Sequence, residues 1–107
     1  MALYPFTTAA LTSLTAAGTT QSLKVNAQAV SFQVTVSSIG TNVVLRFEGS
    51  LDGTNFANLD ENANDTTITA DGTTIYSLSG TPVEHVRVRL VSLDGGTPTV
   101  ATVVGAL

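Results

Sequence analysis

The chain has no cysteine and no tryptophan, a single histidine, and four lysines and arginines against eight aspartates and glutamates in 107 residues. Each scarcity excludes something. Without cysteine there is no disulfide framework and no thiolate zinc site, although this says nothing about compartment. Lys24 is the one lysine, and Arg46, Arg87 and Arg89 form no run. The clustered cations that hold phosphates are missing, so no nucleic-acid partner is expected. No unbroken apolar run approaches the ~18 residues of a membrane span, so no membrane partner is expected either. The first 23 residues carry no charged side chain, and therefore lack the basic start of a secretory signal. They are read as part of the working protein.

Catalytic constellations are equally sparse. Any Ser-His-Asp triad would have to use His85, which is accompanied by no nucleophile-elbow pattern and alternates with Val86, placing it on the wet face of a strand. A glycosidase needs two carboxylates across a cleft. Asp52, Asp71 and Asp94 each precede a glycine, where an aspartate sets a turn by bonding nearby backbone. The loop 60–65, "DENAND", offers oxygen ligands of the kind calcium prefers, but lacks the spacing and terminal glutamate of an EF-hand loop. It is read as a solvated acidic loop, and Asn64-Asp65-Thr66 as a chance match to the glycosylation pattern. No enzyme activity, cofactor or metal is expected.

What is abundant is Thr, Ser, Val, Ala and Gly, and the pattern is period two. Branched residues pack well on a pleated surface. From Gln28 onward, Val30, Phe32, Val34 and Val36 share one face. Val43, Leu45 and Phe47 follow as an inward set, with Val44, Arg46 and Glu48 outward. Asp52-Gly53 is a turn, after which Phe56 and Leu59 return to the core. Residues 66–70 and 73–78 read as a hairpin about Asp71-Gly72, and Pro82 as a stop. Then Val86, Val88 and Leu90 point inward and His85, Arg87 and Arg89 outward. Asp94-Gly95-Gly96 turns the chain into a last strand over 100–104.

About seven short strands at ~8–12 residue spacing predict one all-β domain, a single antiparallel β-sandwich. A chain of this length carries one core. Residues 21–107 form the sandwich, with an edge strand over 21–25 guarded by Lys24. Residues 1–20 are an arm or a first strand; a short helix over 8–17 is disfavoured by its threonines. Leu3, Tyr4, Pro5, Phe6, Leu11 and Leu14 lie in this uncharged segment. Soluble monomers avoid exposing so much apolar surface, so these residues are a candidate subunit interface. Arg46, Glu48, His85, Arg87 and Arg89 form a candidate polar contact face, whose plainer reading is cross-strand ion pairing.

The ordered segments "LRFEGSLDGTNFANL", "TTIYSL" and "VEHVRVRLVSLDGGTPTVATVVG", about two-thirds of the chain, resemble a class of small structural proteins of tailed bacteriophages. The first is also similar to galactose-binding-like (discoidin-type) jelly-roll modules. The resemblance implies a jelly-roll-like sandwich, with an immunoglobulin-like one as the alternative. It implies a capsid decoration or cement protein that works in the virion after assembly in the bacterial cytoplasm. The implied partner is the major capsid protein or another virion protein, and the implied oligomer is a trimer of the chain. A carbohydrate-binding module displayed on the virion and a small tail or baseplate component are the alternatives. Sugar-binding relatives use loop aromatics, whereas Tyr4 and Tyr76 here lie in other segments.

Overall fold

A computed structural model describes residues 7–60 and 62–107. Its strands are β1 (Thr7–Ala10), β2 (Gly18–Thr19), β3 (Leu23–Ser50), β4 (Ala57–Asn58), β5 (Thr66–Ile68) and β6 (Gly72–Ala106). All belong to one antiparallel sheet that runs β1-β6-β3-β4, with β2 attached to β6 and β5 to β3. The protein is all-β, as the alternation predicts.

Two of these strands cannot be straight. At ~3.3 Å per residue, β3 and β6 would reach about 90 and 115 Å, but the molecule measures 38 × 36 × 23 Å. Each strand therefore bends between layers. β3 has limbs over 23–37 and 43–50, and β6 over 72–79, 83–94 and 99–106, as their changing partners show. The first layer has the order 72–79, 29–37, 99–106, β1. In the second, β4 and β5 flank the 43–50 limb, which pairs with 83–94, and that limb pairs in turn with β2 and residues 23–24.

The bends have local causes. Asn26 takes a left-handed φ of 47° where the register slips between Lys24 and Ala27, and the first limb of β3 crosses between layers there. A short polar side chain tolerates that conformation. At the next corner a Cβ on Gly40 would collide with the backbone of Gly95 and Gly96, so the two turns touch only because no side chain intervenes.

The layers face each other across one core. Phe32, Val43, Leu45, Val86 and Val88 are each 0% exposed, and Leu90 is 1% exposed. Phe32 stacks on Phe47 with ring centroids 4.6 Å apart, and Phe47 meets Tyr76 at 5.3 Å. Phe32 and Tyr76 belong to the first layer and Phe47 to the second, so these rings join the layers. Such aromatic pairs add to what their area burial contributes.

Several expectations of detail are corrected. Residues 66–70 and 73–78 do not form a hairpin. β5 pairs with Val43–Leu45 in the second layer, while the 72–79 limb pairs with 29–36 in the first. Asp71 tethers the crossing between them by accepting a hydrogen bond from the Ile39 amide at 2.9 Å. The chain continues in extended form through Pro82, which marks a bend rather than a stop. Residues 7–10 form a first strand of the same sheet, opposite 103–106.

Candidate functional site

The outward positions of the second layer bring the charged residues together. Pairing of 43–50 with 83–94 sets Arg46 opposite Arg89, Glu48 opposite Arg87, and Ser50 opposite His85. Like charges directly across a ladder repel, and the Arg46–Arg89 pair needs an anion nearby. Asp65 supplies it. Arg46 donates to its two carboxylate oxygens at 2.8 and 3.2 Å. The hydrogen bonds and charge of Arg46 hold the Asp65 carboxyl below the ordinary carboxylate range, with a smaller contribution from Arg89.

Glu48 departs from expectation. Its outward position predicts exposure, yet it is 3% exposed. The reason is a lid formed by the chain between β3 and β5. β4 lies against Glu48 and Gly49, and Phe56 places its ring 4.0 Å from the Arg87 guanidinium carbon. Under this cover Glu48 accepts from Arg87 Nε at 2.7 Å and lies 4.0 Å from Arg46 Nη1. Phe56 thus caps a cation on the outer face rather than entering the core. Leu59 does pack on the core, as expected. The sequence signal for the lid was the aromatic after the Asp-Gly turn, whose target could not be read without knowing which arginine lies beneath it.

The turn at the head of the lid is self-contained. Asp52 accepts from the Thr54 and Asn55 amides, both at 2.8 Å, and from Asn55 Nδ2 at 2.8 Å. Ser50 Oγ lies 2.9 Å from Asp52 and accepts from the Gly53 amide at 2.9 Å. Hydrogen bonds from Asn55 first, then Thr54, hold the Asp52 carboxyl far below its usual range. Gly53 takes a left-handed φ of 78°, and a Cβ there would stand 3.0 Å from His85 Nε2. His85 is therefore half-buried beneath the turn. The 60–65 loop is also built on itself, with Asp60 accepting from the Asn62 amide and Asn58 donating to Asn64 and Asp65. Among the described residues no group of three or more His, Cys, Asp or Glu side chains is placed to hold a metal.

Among the described residues, two hollows are seen beside this face. One, of about 650 Å³, lies between the Asp52 turn and Val83 and includes Leu51, Asn58 and Leu59. The other, of about 420 Å³, lies between β2 and Arg87 and Arg89. Of the five candidate contact residues, Arg89 is exposed, Arg46, His85 and Arg87 are half-buried, and Glu48 is enclosed. The ion pairing of the plainer reading is present.

The candidate subunit interface divides. Leu3, Tyr4, Pro5 and Phe6 lie outside the described residues. Leu11 is 5% exposed within the chain's own core, and Leu14 bridges to Val100 and packs on that core. Both side chains are already spent inside the protomer, because residues 7–14 complete the first layer beside 99–106.

No protein-family model matches the chain, and no curated protein sequence matches it. Its fold is similar to that of the SPBc2 prophage-derived protein YomS, whose crystal structure superposes with a TM-score of 0.58 at 12% identity, covering 99% of each chain.

Proposed function

We propose that the protein is a structural component of a tailed-phage virion, a capsid decoration subunit that binds the outer surface of the major capsid protein. The observation that carries this reading is the end-to-end likeness in fold to a prophage-derived protein of nearly the same extent, taken with the resemblance of residues 45–107 to small phage structural proteins. A subunit of this kind does no chemistry. It adds buried area across capsomer junctions and so resists internal pressure.

The contact face is the outer side of the second layer, where Arg89 is exposed beside the half-buried Arg46 and Arg87. Two of these cations are held by Glu48 and Asp65. Of the three arginines, Arg89 makes no close ion pair among the described residues and is offered to an acidic surface of the capsid. Held from both sides by β2 and the 43–50 limb, its strand presents it with little ordering cost on binding.

Purified particles provide the test. Hundreds of copies per virion, in a simple ratio to the major capsid protein, are expected, and Arg89→Glu is expected to lower that occupancy several-fold while leaving the free protein folded. A handful of copies per particle would assign the protein to the tail. No copies in the particle would overturn the virion reading.

A further inference from the structure

Among the described residues the sheet has four edges, and three are blunted. On the first layer β1 has four residues. On the second layer one edge is broken into β4 and β5, of two and three residues, and the other into β2, of two residues, and a run carrying Lys24. Short strands and inward or flanking lysines are the usual protections against pairing with another chain. The fourth edge has none of them. The 72–79 limb, "GTTIYSLS", pairs on one side with 29–36 and has no partner on the other among the described residues. It contains no charge and no proline. Residues 72–75 are all exposed, and Ile75 is 63% exposed.

We infer that this edge pairs with the same edge of a second copy, antiparallel about a two-fold axis, joining the first layers of two protomers into one eight-stranded sheet. The occupant is a second copy because the surface is self-compatible in charge. The chain carries a formal charge of −4, so most ways of bringing two copies together oppose like charges. Along the limb itself no described residue carries a charge to oppose. The outward rows beside it are Thr73–Thr35–Ala101 and Ile75–Gln33–Val103. The nearest acid, Asp71, precedes the limb. With the axis at Ile75 the two Asp71 residues would sit at opposite ends of the pairing, roughly 26 Å apart at ~3.3 Å per residue. That register also sets Ile75 across from its own copy, covering the most exposed apolar side chain of the strand. The inference does not depend on the virion role.

Sedimentation equilibrium and small-angle scattering on the purified full chain test it. A monomer–dimer equilibrium is expected, with a dimer about twice as long as the 36–38 Å in-plane extent of one protomer. Ile75→Lys places two cations across the axis and is expected to raise the dimer dissociation constant at least tenfold. Because Ile75 is largely exposed, the variant should keep the wild-type circular dichroism. Val103→Lys, two strands inward on the same face, should leave the dimer intact. Equal loss in both variants would mean that copies stack face to face, and would overturn the edge pairing. A monomer at all concentrations would also overturn it, as would the three-fold trimer implied by the resemblance, since pairing one strand with itself yields only two-fold symmetry.

Discussion

The two outer faces of the sandwich are made by the same strand alternation and carry opposite chemistry. Outward positions of the first layer hold Ser31, Gln33, Thr35, Thr73 and Ser77, joined by hydroxyl contacts such as Thr35 to Thr73 at 2.9 Å. Outward positions of the second layer hold Arg46, Glu48, Arg87 and Arg89. The difference lies in what each face must hold. Nothing among the described residues crosses the first face. The second carries the long connection between β3 and β5, which has few apolar groups with which to anchor itself. Beside Leu59, which packs on the core, its anchors are Asp65 on Arg46, Phe56 on Arg87, and the Asp52 turn over His85. Charge in this sparsely charged chain is thus spent on fastening a loop. On the uncharged face, exposed hydroxyls give the sheet a wet surface without fixing anything to it.

This contrast is broken most severely at Glu48. Glu48→Ala removes the carboxylate between two arginines and leaves Arg87 beneath Phe56 without its anion. Removing one partner of a fully buried pair costs about 3–5 kcal/mol. Arg87 retains some contact with water, its side chain being 26% exposed, so we expect about 2–3 kcal/mol. Urea unfolding would measure it. A loss under about 0.5 kcal/mol, the level of an ordinary surface change, would mean that the lid is held by its backbone pairing at β4 and that the ion network is incidental.

The fold was legible because period-two patterning depends on each residue's own chemistry. The inward sets Val30–Phe32–Val34–Val36, Val43–Leu45–Phe47 and Val86–Val88–Leu90 all lie in the observed core, which Leu11, Ala27, Val83, Val100 and Val104 extend. The pairing of strands was less legible. Residues 66–70 and 73–78 flank an Asp-Gly turn, the usual hairpin signal. They separate because Ile68 packs with the second layer and Tyr76 with the first. That choice depends on which strands are already adjacent, which no local pattern encodes. The charged cluster was visible as outward residues on two strands. The burial of Glu48 was not, because the lid that covers it comes from a separate part of the chain. Leu11 and Leu14 carried the same ambiguity, since an apolar residue at an end of the chain can meet its own core or a neighbour's with one and the same sequence.

Acid should loosen the second face first. Asp65 and Asp52 both have folded-state pKa values below the ordinary carboxylate value, Asp65 through its hydrogen bonds and charge pairing with Arg46 and Asp52 through the amides of Asn55 and Thr54. A group with a depressed folded pKa gives up protons more readily when folded than when unfolded. Its stabilisation is fully present above the unfolded value of about 4 and is lost as the pH falls from there through the folded value. The urea midpoint should therefore be level from pH 7 to about 5 and decline below about 4. Asp65→Asn should be less stable at pH 7 and show a shallower decline. An unchanged decline in that variant would assign the acid sensitivity to carboxylates away from the lid.

The smallest effect is expected on the uncharged face. Thr35→Val keeps shape and β-branching and removes only the hydroxyl that meets Thr73 at 2.9 Å. Both hydroxyls are exposed, so the Thr73 hydroxyl can turn to water at little cost, and a hydrogen bond that water can replace contributes little net stability. The added methyl is favoured in a strand but gains little where nothing covers it. These terms nearly cancel, and we expect a change within about 0.5 kcal/mol, read from urea unfolding at a concentration where the chain is monomeric. A destabilisation above about 1 kcal/mol would exceed what an exposed hydroxyl pair contributes. The rows of Ser and Thr would then be fastening the first layer as the ion pairs fasten the second, and the contrast between the two faces would be one of chemistry alone.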